Sequence, residues 1–265
     1  MSGITLSEIN VYPVKSFAGI ALSSVLLDQF GPVGDRRWML VDESGAAITQ
    51  REQPRLAMVQ TQIGPHGLGL NFEGEKLELL VPAVSASRRR VKIWSDELVA
   101  LDAGNEAAAW LAAKLGLNCR LVYIPDGHAR VVDRHYARAG ETVGFADAFP
   151  LLLISQASLD DLNSRLKSPV PMNRFRPNLV VTGCEPFAED SWKRVKIGDV
   201  EFDVAKPCER CVIPSIDQST GERDKNINRV LASFRRRDRK IYFGQNLLYQ
   251  EVGILRLSQR LEVII

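Results

Sequence analysis

Two cysteines three residues apart, Cys208 and Cys211, lie in the segment Lys206-Pro207-Cys208-Glu209-Arg210-Cys211-Val212-Ile213-Pro214-Ser215-Ile216-Asp217. At that spacing both thiols can face one site across a tight loop. Spacing alone leaves half a zinc site, redox chemistry and two ordinary thiols all open. A zinc site with four thiolates would also need Cys119 and Cys184, which are far apart and form no second C-x-x-C. The C-x4-C-x2-C pattern of plant-type iron–sulfur proteins is absent. A second constellation, Tyr12-Pro13-Val14-Lys15-Ser16-Phe17-Ala18-Gly19, places an ammonium and a hydroxyl just past a strand end, at a turn whose backbone N–H groups suit a phosphate, although taken alone the segment reads as an ordinary strand-to-loop exit. Asp35-Arg36-Arg37-Trp38 carries an arginine pair into a strand, and Asn173-Arg174-Phe175-Arg176-Pro177-Asn178 carries two more guanidinium forks. Such forks bind phosphate in a bidentate manner, although a surface ion pair is the commoner fate of an arginine.

Short strands must position these groups. Ile4 and Leu6 alternate with polar residues, then the phase slips to Ile9 and Val11, which predicts a bulge near Ser7–Glu8 and a strand ended by Pro13. Trp38–Val41, Gln60–Ile63, Gly69–Phe72, Leu77–Val81, Val91–Trp94, Leu121–Ile124 and Leu179–Thr182 read as further strands, and the apolar run Phe149–Ile154 opens the second half. Val195, Ile197, Val200, Phe202 and Val204 alternate around Gly198-Asp199, a hairpin signal. Ile241–Phe243 and Leu261–Ile265 close the chain as strands. Helices are few: one after the N-cap Asn105, stopped by Gly116; one from a Ser158/Asp161 capping box; and one with Ile227, Val230, Leu231 and Phe234 on one face. Residues 126–144 read as a long loop. The pattern predicts a mainly β, barrel-like protein with a few helices, divided into 1–120 and 121–265.

Composition narrows the class. The 265 residues carry 34 basic and 32 acidic side chains, a net charge of +2, which is too balanced for a general nucleic-acid binder. No apolar run reaches the roughly 18–20 residues of a membrane span, and no secretory leader is visible, so a cytoplasmic, bacterial-type protein is expected. Four cysteines in such a chain do not make a disulfide scaffold. His66, His128 and His135 match no metal spacing. Trp38, Trp94, Trp110 and Trp192 are expected in the core, Cys119 as a buried thiol, and Arg88-Arg89-Arg90 in a solvated loop. Arg235-Arg236-Arg237, with Arg239 and Lys240, follows a helix whose dipole suits cations; the same run could dock an acidic ferredoxin or flavodoxin.

Taken in order, these segments resemble the MOSC family (molybdenum cofactor sulfurase C-terminal domain) preceded by its N-terminal β-barrel domain, in particular the YcbX-type bacterial proteins and the mitochondrial amidoxime-reducing component. The likeness rests on Val11-Tyr12-Pro13-Val14-Lys15-Ser16, Asp35-Arg36-Arg37-Trp38, Arg51-Glu52-Gln53-Pro54-Arg55-Leu56 and Gly144-Phe145-Ala146-Asp147. It continues through Asn173–Asn178, Ala188-Glu189-Asp190-Ser191-Trp192, Cys208-Glu209-Arg210-Cys211 and Phe243-Gly244-Gln245. The fold it implies is a β-barrel MOSC domain plus an N-terminal β-barrel domain.

The resemblance implies a molybdenum cofactor, that is, molybdopterin with its Mo. Cys211 is then the protein ligand to the metal and carries the catalysis. A soft thiolate suits a sulfur-rich, high-valent molybdenum. Lys15, Ser16, Arg36 and Arg176 fall where the family holds pterin and phosphate, and three cations with a hydroxyl agree with that role. Asn178, Cys208, Glu209, Arg210 and Gln245 are expected beside them. Two departures stand out. Pro214-Ser215 replaces two threonines common in relatives, and the chain ends at Ile265 without the ferredoxin domain of several relatives or cysteines for its Fe–S cluster. A separate electron donor, a ferredoxin- or flavodoxin-type protein with its reductase, is therefore expected. The implied activity is reduction of small N-hydroxylated or N-oxygenated substrates. The alternative is a carrier of cofactor or sulfur without turnover of its own.

Overall fold

A computed structural model describes residues 3–265 except 133, 134, 137 and 139. Met1, Ser2 and those four positions of the expected 126–144 loop lie outside the described residues. The architecture is mainly β, with three α-helices among the described residues: α1 (Asn105–Leu115), α2 (Gln156–Ser164) and α3 (Asn226–Phe234).

One large sheet runs in the order Ile20–Leu22, Thr5–Val11, Leu179–Thr182, Leu151–Ser155, Lys240–Tyr249, Val200–Glu209, Arg194–Ile197 and Leu261–Val263. The pair Leu151–Ser155 and Leu179–Thr182 is parallel, and α2 lies in its crossover. The slip expected at Ser7 is a register shift between Leu6 and Glu8. It lets Leu6, Ile9 and Val11 all reach one core with Leu153, Leu179, Val181 and Phe202. The Gly198-Asp199 turn closes a hairpin with Ile197 opposite Val200.

A second sheet orders Trp38–Val41, Arg120–Tyr123, Asp96–Asp102 and Arg88–Ile93, beside a meander of Gln60–Gly64, Gly67–Phe72 and Glu75–Leu80. Their shared core holds Trp38, Leu40, Leu56, Leu70, Phe72, Leu111 and Leu121. The N-terminal strand belongs to the large sheet while residues 38–123 build the second, so the segment before residue 120 contributes to both sheets.

Several local expectations are corrected. The first helix has Gly104 rather than Asn105 at its N-cap, with no side-chain cap; Asn105 lies inside the helix and its Oδ1 accepts Arg120 Nη1 at 3.0 Å instead. Its Gly116 stop is left-handed, as glycine allows. The second helix starts earlier, capped by Ser155, whose hydroxyl accepts the Ser158 N–H. Arg88–Arg90 is strand, not loop, because it pairs with Val99–Leu101 and Arg89 has a buried counter-charge in Asp102. Trp38 and Trp192 are buried, but Trp94 is 46% exposed on a left-handed turn residue.

At the junction between the two sheets three stretches of chain cross. Lys15 N–H donates to Trp38 O at 2.8 Å, Arg36 N–H to Tyr12 O at 2.8 Å, and Phe145 N–H to Arg36 O at 2.8 Å. Gly144 permits the last approach: a Cβ there would sit 2.8 Å from Arg36 O, closer than side chains tolerate. Three segments distant in sequence are thereby fastened side by side, and each carries a charged residue to the same place.

Candidate functional site

The fastened segments form one wall of a cleft of about 300 Å³. Lys15, Ser16 and Arg36 come from the crossing, and Thr49, Gln50 and Arg51 from the loop after the second-sheet strand Trp38–Val41. Ala146 and Asp147 follow Gly144. Phe175, Arg176 and Asn178 enter from the segment before Leu179–Thr182. Lys206, Cys208, Glu209, Arg210 and Cys211 line the opposite rim, at the end of the long strand Val200–Glu209. Leu151, Leu152 and Phe175 supply apolar lining. Phe175 stacks on Phe243 with ring centroids 4.5 Å apart, and its burial contributes roughly 1.5–3 kcal/mol to holding the Asn173–Asn178 segment in place.

Three of the lining residues, Ser16, Arg36 and Arg176, have left-handed backbones although none is glycine, at φ 72°, 44° and 55°. Such conformations cost on the order of 1 kcal/mol each and cluster where function requires them. Arg36 is held by Asp35 Oδ2 at 2.6 Å and Asn178 Oδ1 at 3.1 Å. Asn178 uses all its polar atoms on the protein: Oδ1 also accepts the Leu152 N–H at 3.2 Å, and Nδ2 donates to Asn10 O and Asp35 Oδ1. It therefore positions Arg36 rather than offering a free donor to the cleft. Arg36 and Arg176 both lie over the Tyr12 ring, at 4.3 and 4.2 Å.

The electrostatics are those of an anion site. Burial pushes the Lys15 ammonium below its ordinary range despite the adjacent Asp147, and burial with neighbouring Arg36 lowers Arg176 to about 10, though Tyr12 and Asp35 oppose it. Among the described residues Arg176 makes no ion pair; its Nη1 donates to Gln218 Oε1 at 3.2 Å. Burial acts to raise the Asp147 carboxyl, but the Lys15 charge and hydrogen bond outweigh it, with help from Arg51, and hold it well below the usual carboxylate range. The Asp147 side chain remains 60% exposed at the mouth, so it screens the buried cations incompletely. A bound dianion would offset the unfavourable charging of Lys15 and Arg176. Sulfate, which does not titrate above pH 3, is expected to bind this cleft and to weaken as pH rises. Protonated Lys15 is the binding form and its titration is shifted downward, so the loss begins below the normal lysine range. Isothermal titration at a series of pH values measures this; affinity flat up to the free-lysine range would contradict it.

On the opposite rim, Cys211 Sγ accepts the Ile213 N–H at 3.5 Å and its carbonyl accepts Asn228 Nδ2 at 3.0 Å. Arg210 fixes the other thiol: Nη1 reaches Cys208 Sγ at 3.2 Å and Nη2 donates to Phe175 O at 2.8 Å, while its buried Nε has no partner among the described residues. The Pro214-Ser215 departure has a structural consequence. Ile213–Ser215 is a 3-10 turn in which Ser215 Oγ donates to Val212 O at 2.6 Å, so that hydroxyl is spent on its own loop.

Nine of the ten expected site residues thus border one cleft: Lys15, Ser16, Arg36, Arg176, Asn178, Cys208, Glu209, Arg210 and Cys211. Gln245 does not. It is buried on the other side of its strand, donating to Asp190 Oδ1 at 2.7 Å, and its neighbour Asn246 faces the cleft instead. Gln50, Arg51 and Asp147 were not anticipated. Gln50 is fully buried and donates to Ser16 O at 2.8 Å, which supports the left-handed turn there. Arg51 lies 4.2 Å over Trp94 and 3.6 Å from Asp147. Arg51 and Asp147 stand inside segments of the family likeness, the one signal that could have singled them out. The four thiols do not gather: Cys119 is in the second-sheet core and Cys184 packs against the large-sheet core. Among the described residues no three His, Cys, Asp or Glu side chains group to hold a metal ion by themselves. No described helix is long and apolar enough to cross a membrane.

Fold and cleft together define a mainly β protein with a cation-walled cleft edged by two thiols. Its sequence matches the MOSC N-terminal beta barrel domain over residues 3–118 and the MOSC domain over residues 140–262, and the chain belongs to the MOSC family. It is 33% identical over 275 residues to mitochondrial amidoxime-reducing component 1 of Mus musculus, covering 96% of this chain and 80% of that protein. The human protein of the same name is 32% identical, with 96% and 81% covered. Molybdenum cofactor sulfurase of Oryza sativa subsp. japonica is 31% identical over 274 residues, covering 95% of this chain and 33% of that protein.

Proposed function

We propose that the chain is a molybdenum-cofactor-dependent reductase of small N-oxygenated compounds, supplied with electrons by a separate protein. The observation that carries this reading is the meeting, in one cleft, of an accessible thiol at Cys211 with the cations Lys15, Arg36 and Arg176, the last without an ion pair among the described residues. A phosphate-bearing, thiolate-ligated cofactor demands that pair of features, and relatives named for amidoxime reduction align along nearly the whole chain. The donor set fits: soft sulfur for the metal, ammonium and guanidinium groups for phosphate, and the unpartnered Arg210 Nε as a spare donor beside the thiols.

When bound, the cofactor supplies the two-electron chemistry by which an N–O bond is cleaved, the net reaction being hydroxylamine-type N–OH plus two electrons and two protons to N–H plus water. This chain's residues bind and orient. Cys211 provides the metal's thiolate. Lys15, Arg36 and Arg176 hold the phosphate, with Asp35 and Asn178 fixing Arg36. Ser16 offers its hydroxyl on the turn braced by Gln50. Arg210 holds Cys208 and ties the thiol-bearing loop to the Phe175 backbone. Asp147 keeps Lys15 in place at the mouth.

The test is protein made in a cofactor-competent host, analysed for molybdenum and pterin and supplied with benzamidoxime and reduced methyl viologen. One molybdenum per chain and benzamidine formation are expected. Bound cofactor without turnover would identify a carrier and overturn the reductase reading; absence of molybdenum would overturn the cofactor assignment.

A further inference from the structure

The cationic run after the third helix has an unusual placement. Residues 225–240 hold seven cations and one acid, a net charge of +6 in a chain whose total is only +2. Helix-dipole compensation does not account for it: no cation falls in the last turn of α3. Arg235 is taken up by the fold, donating to Tyr242 O and pairing with Asp190, and Arg237 lies 5.0 Å over the Tyr242 ring while remaining exposed. Arg236 and Arg237 form a strand folding back on Ile241 and Lys240, and Asp238 and Arg239 make the turn, both with positive φ (47° and 65°). Such two-residue turns favour Asn-Gly or Asp-Gly. An arginine at the second position is locally unfavourable, and it puts one more charge at the tip. Residues 236–240 are all exposed.

This hairpin is continuous with the thiol loop. Arg210 N–H donates to Ile241 O at 2.8 Å, Lys240 pairs with Glu209 at 2.7 Å, and Asn228 of α3 holds the Cys211 carbonyl. Val212, next to Cys211, is 45% exposed, an apolar spot on the loop to which the basic hairpin is tied. Charged rims around a small apolar centre steer and seat transient protein partners.

We infer that the face formed by the Arg236–Lys240 hairpin, α3 and Val212 docks an acidic protein electron carrier, placing its redox centre against the Cys208–Cys211 loop. This rests on the reductase reading for its purpose, but the docking is measured independently. The occupant is a protein because the basic hairpin is tied directly to the thiol loop, where an electron donor has to come; a basic surface for a membrane has no need of that neighbourhood.

The experiment uses the full chain and a plant-type [2Fe–2S] ferredoxin as the acidic probe. Titration at low ionic strength should show binding that weakens steeply with salt. The triple variant Arg236→Glu, Arg237→Glu, Arg239→Glu should bind at least tenfold more weakly with a flatter salt dependence, while viologen-driven benzamidoxime reduction stays at the parent rate. Arg239→Gly guards against misfolding: it relieves the turn, so its melting temperature should hold or rise while ferredoxin affinity falls. Equal binding by parent and triple variant would overturn the proposal, as would capture by phosphatidylglycerol vesicles but not by ferredoxin. If binding depends on these charges but viologen drives no turnover, docking stands and the reductase reading falls.

Discussion

Cys211→Ala is expected to lower benzamidoxime turnover by at least ~100-fold and to reduce molybdenum retention. Loss of a metal ligand exceeds the roughly 10–100-fold typical of losing the groups that merely orient one. The sulfur is half-buried on the cleft rim, and no core cluster includes it. Its removal should therefore leave the urea midpoint of the cofactor-free protein nearly unchanged. Cys208→Ala gives the contrast. That sulfur is occupied by Arg210 Nη1 at 3.2 Å, so its loss should perturb the loop without abolishing metal binding. A cofactor-loaded Cys211→Ala protein that reduced benzamidoxime at the parent rate would refute the assignment.

Asp35→Ala is expected to cost about 3–5 kcal/mol of stability, the usual penalty for stranding one member of a buried ion pair. Asp35 is only 3% exposed and accepts three groups: the Tyr12 N–H at 2.8 Å, Arg36 Nη1 at 2.6 Å and Asn178 Nδ2 at 3.2 Å. Without it Arg36 has no counter-charge and shares a buried wall with Arg176 and Lys15. Asp35→Asn keeps acceptor capacity for one or two of these contacts and should lose less. Sulfate should restore part of the Asp35→Ala deficit, because a bound anion supplies the missing charge to the folded state alone; at a hundred times its Kd that is about 2.7 kcal/mol. Urea unfolding with and without sulfate measures both effects. A loss under about 1 kcal/mol would mean that Asp35 is not the counter-charge.

The pattern of what could be read in advance follows the range of the interactions. The bulge near Ser7, the Gly198-Asp199 hairpin and the Gly116 helix stop are local, and each appears where the residues place it. Arg88–Arg90 looked like solvated loop because charges dominate it; its strand is imposed by Val99–Leu101 and by the buried Asp102. Trp94 looked like core because tryptophan usually is. The turn at residue 94 instead leaves it half-exposed, lying over Arg51 and near Lys15. Asp147 could not be found from spacing, since its partner Lys15 is 132 residues away.

The amino-acid sequence by itself determined the mainly β class and the family, and it pointed to a thiol and cations that the fold brings to one cleft, because strand alternation, turn chemistry and contiguous motifs act over a few residues. Only the tertiary structure decided which neighbours face the cleft. Gln245 and Asn246 are adjacent and point to opposite sides of one strand. Which of them faces inward depends on pairing with Val200–Glu209, whose register shifts between Val204 and Lys206 and again between Pro207 and Glu209. Each such shift reverses the relation between sequence parity and side-chain direction, and it is set by strands far away in the chain.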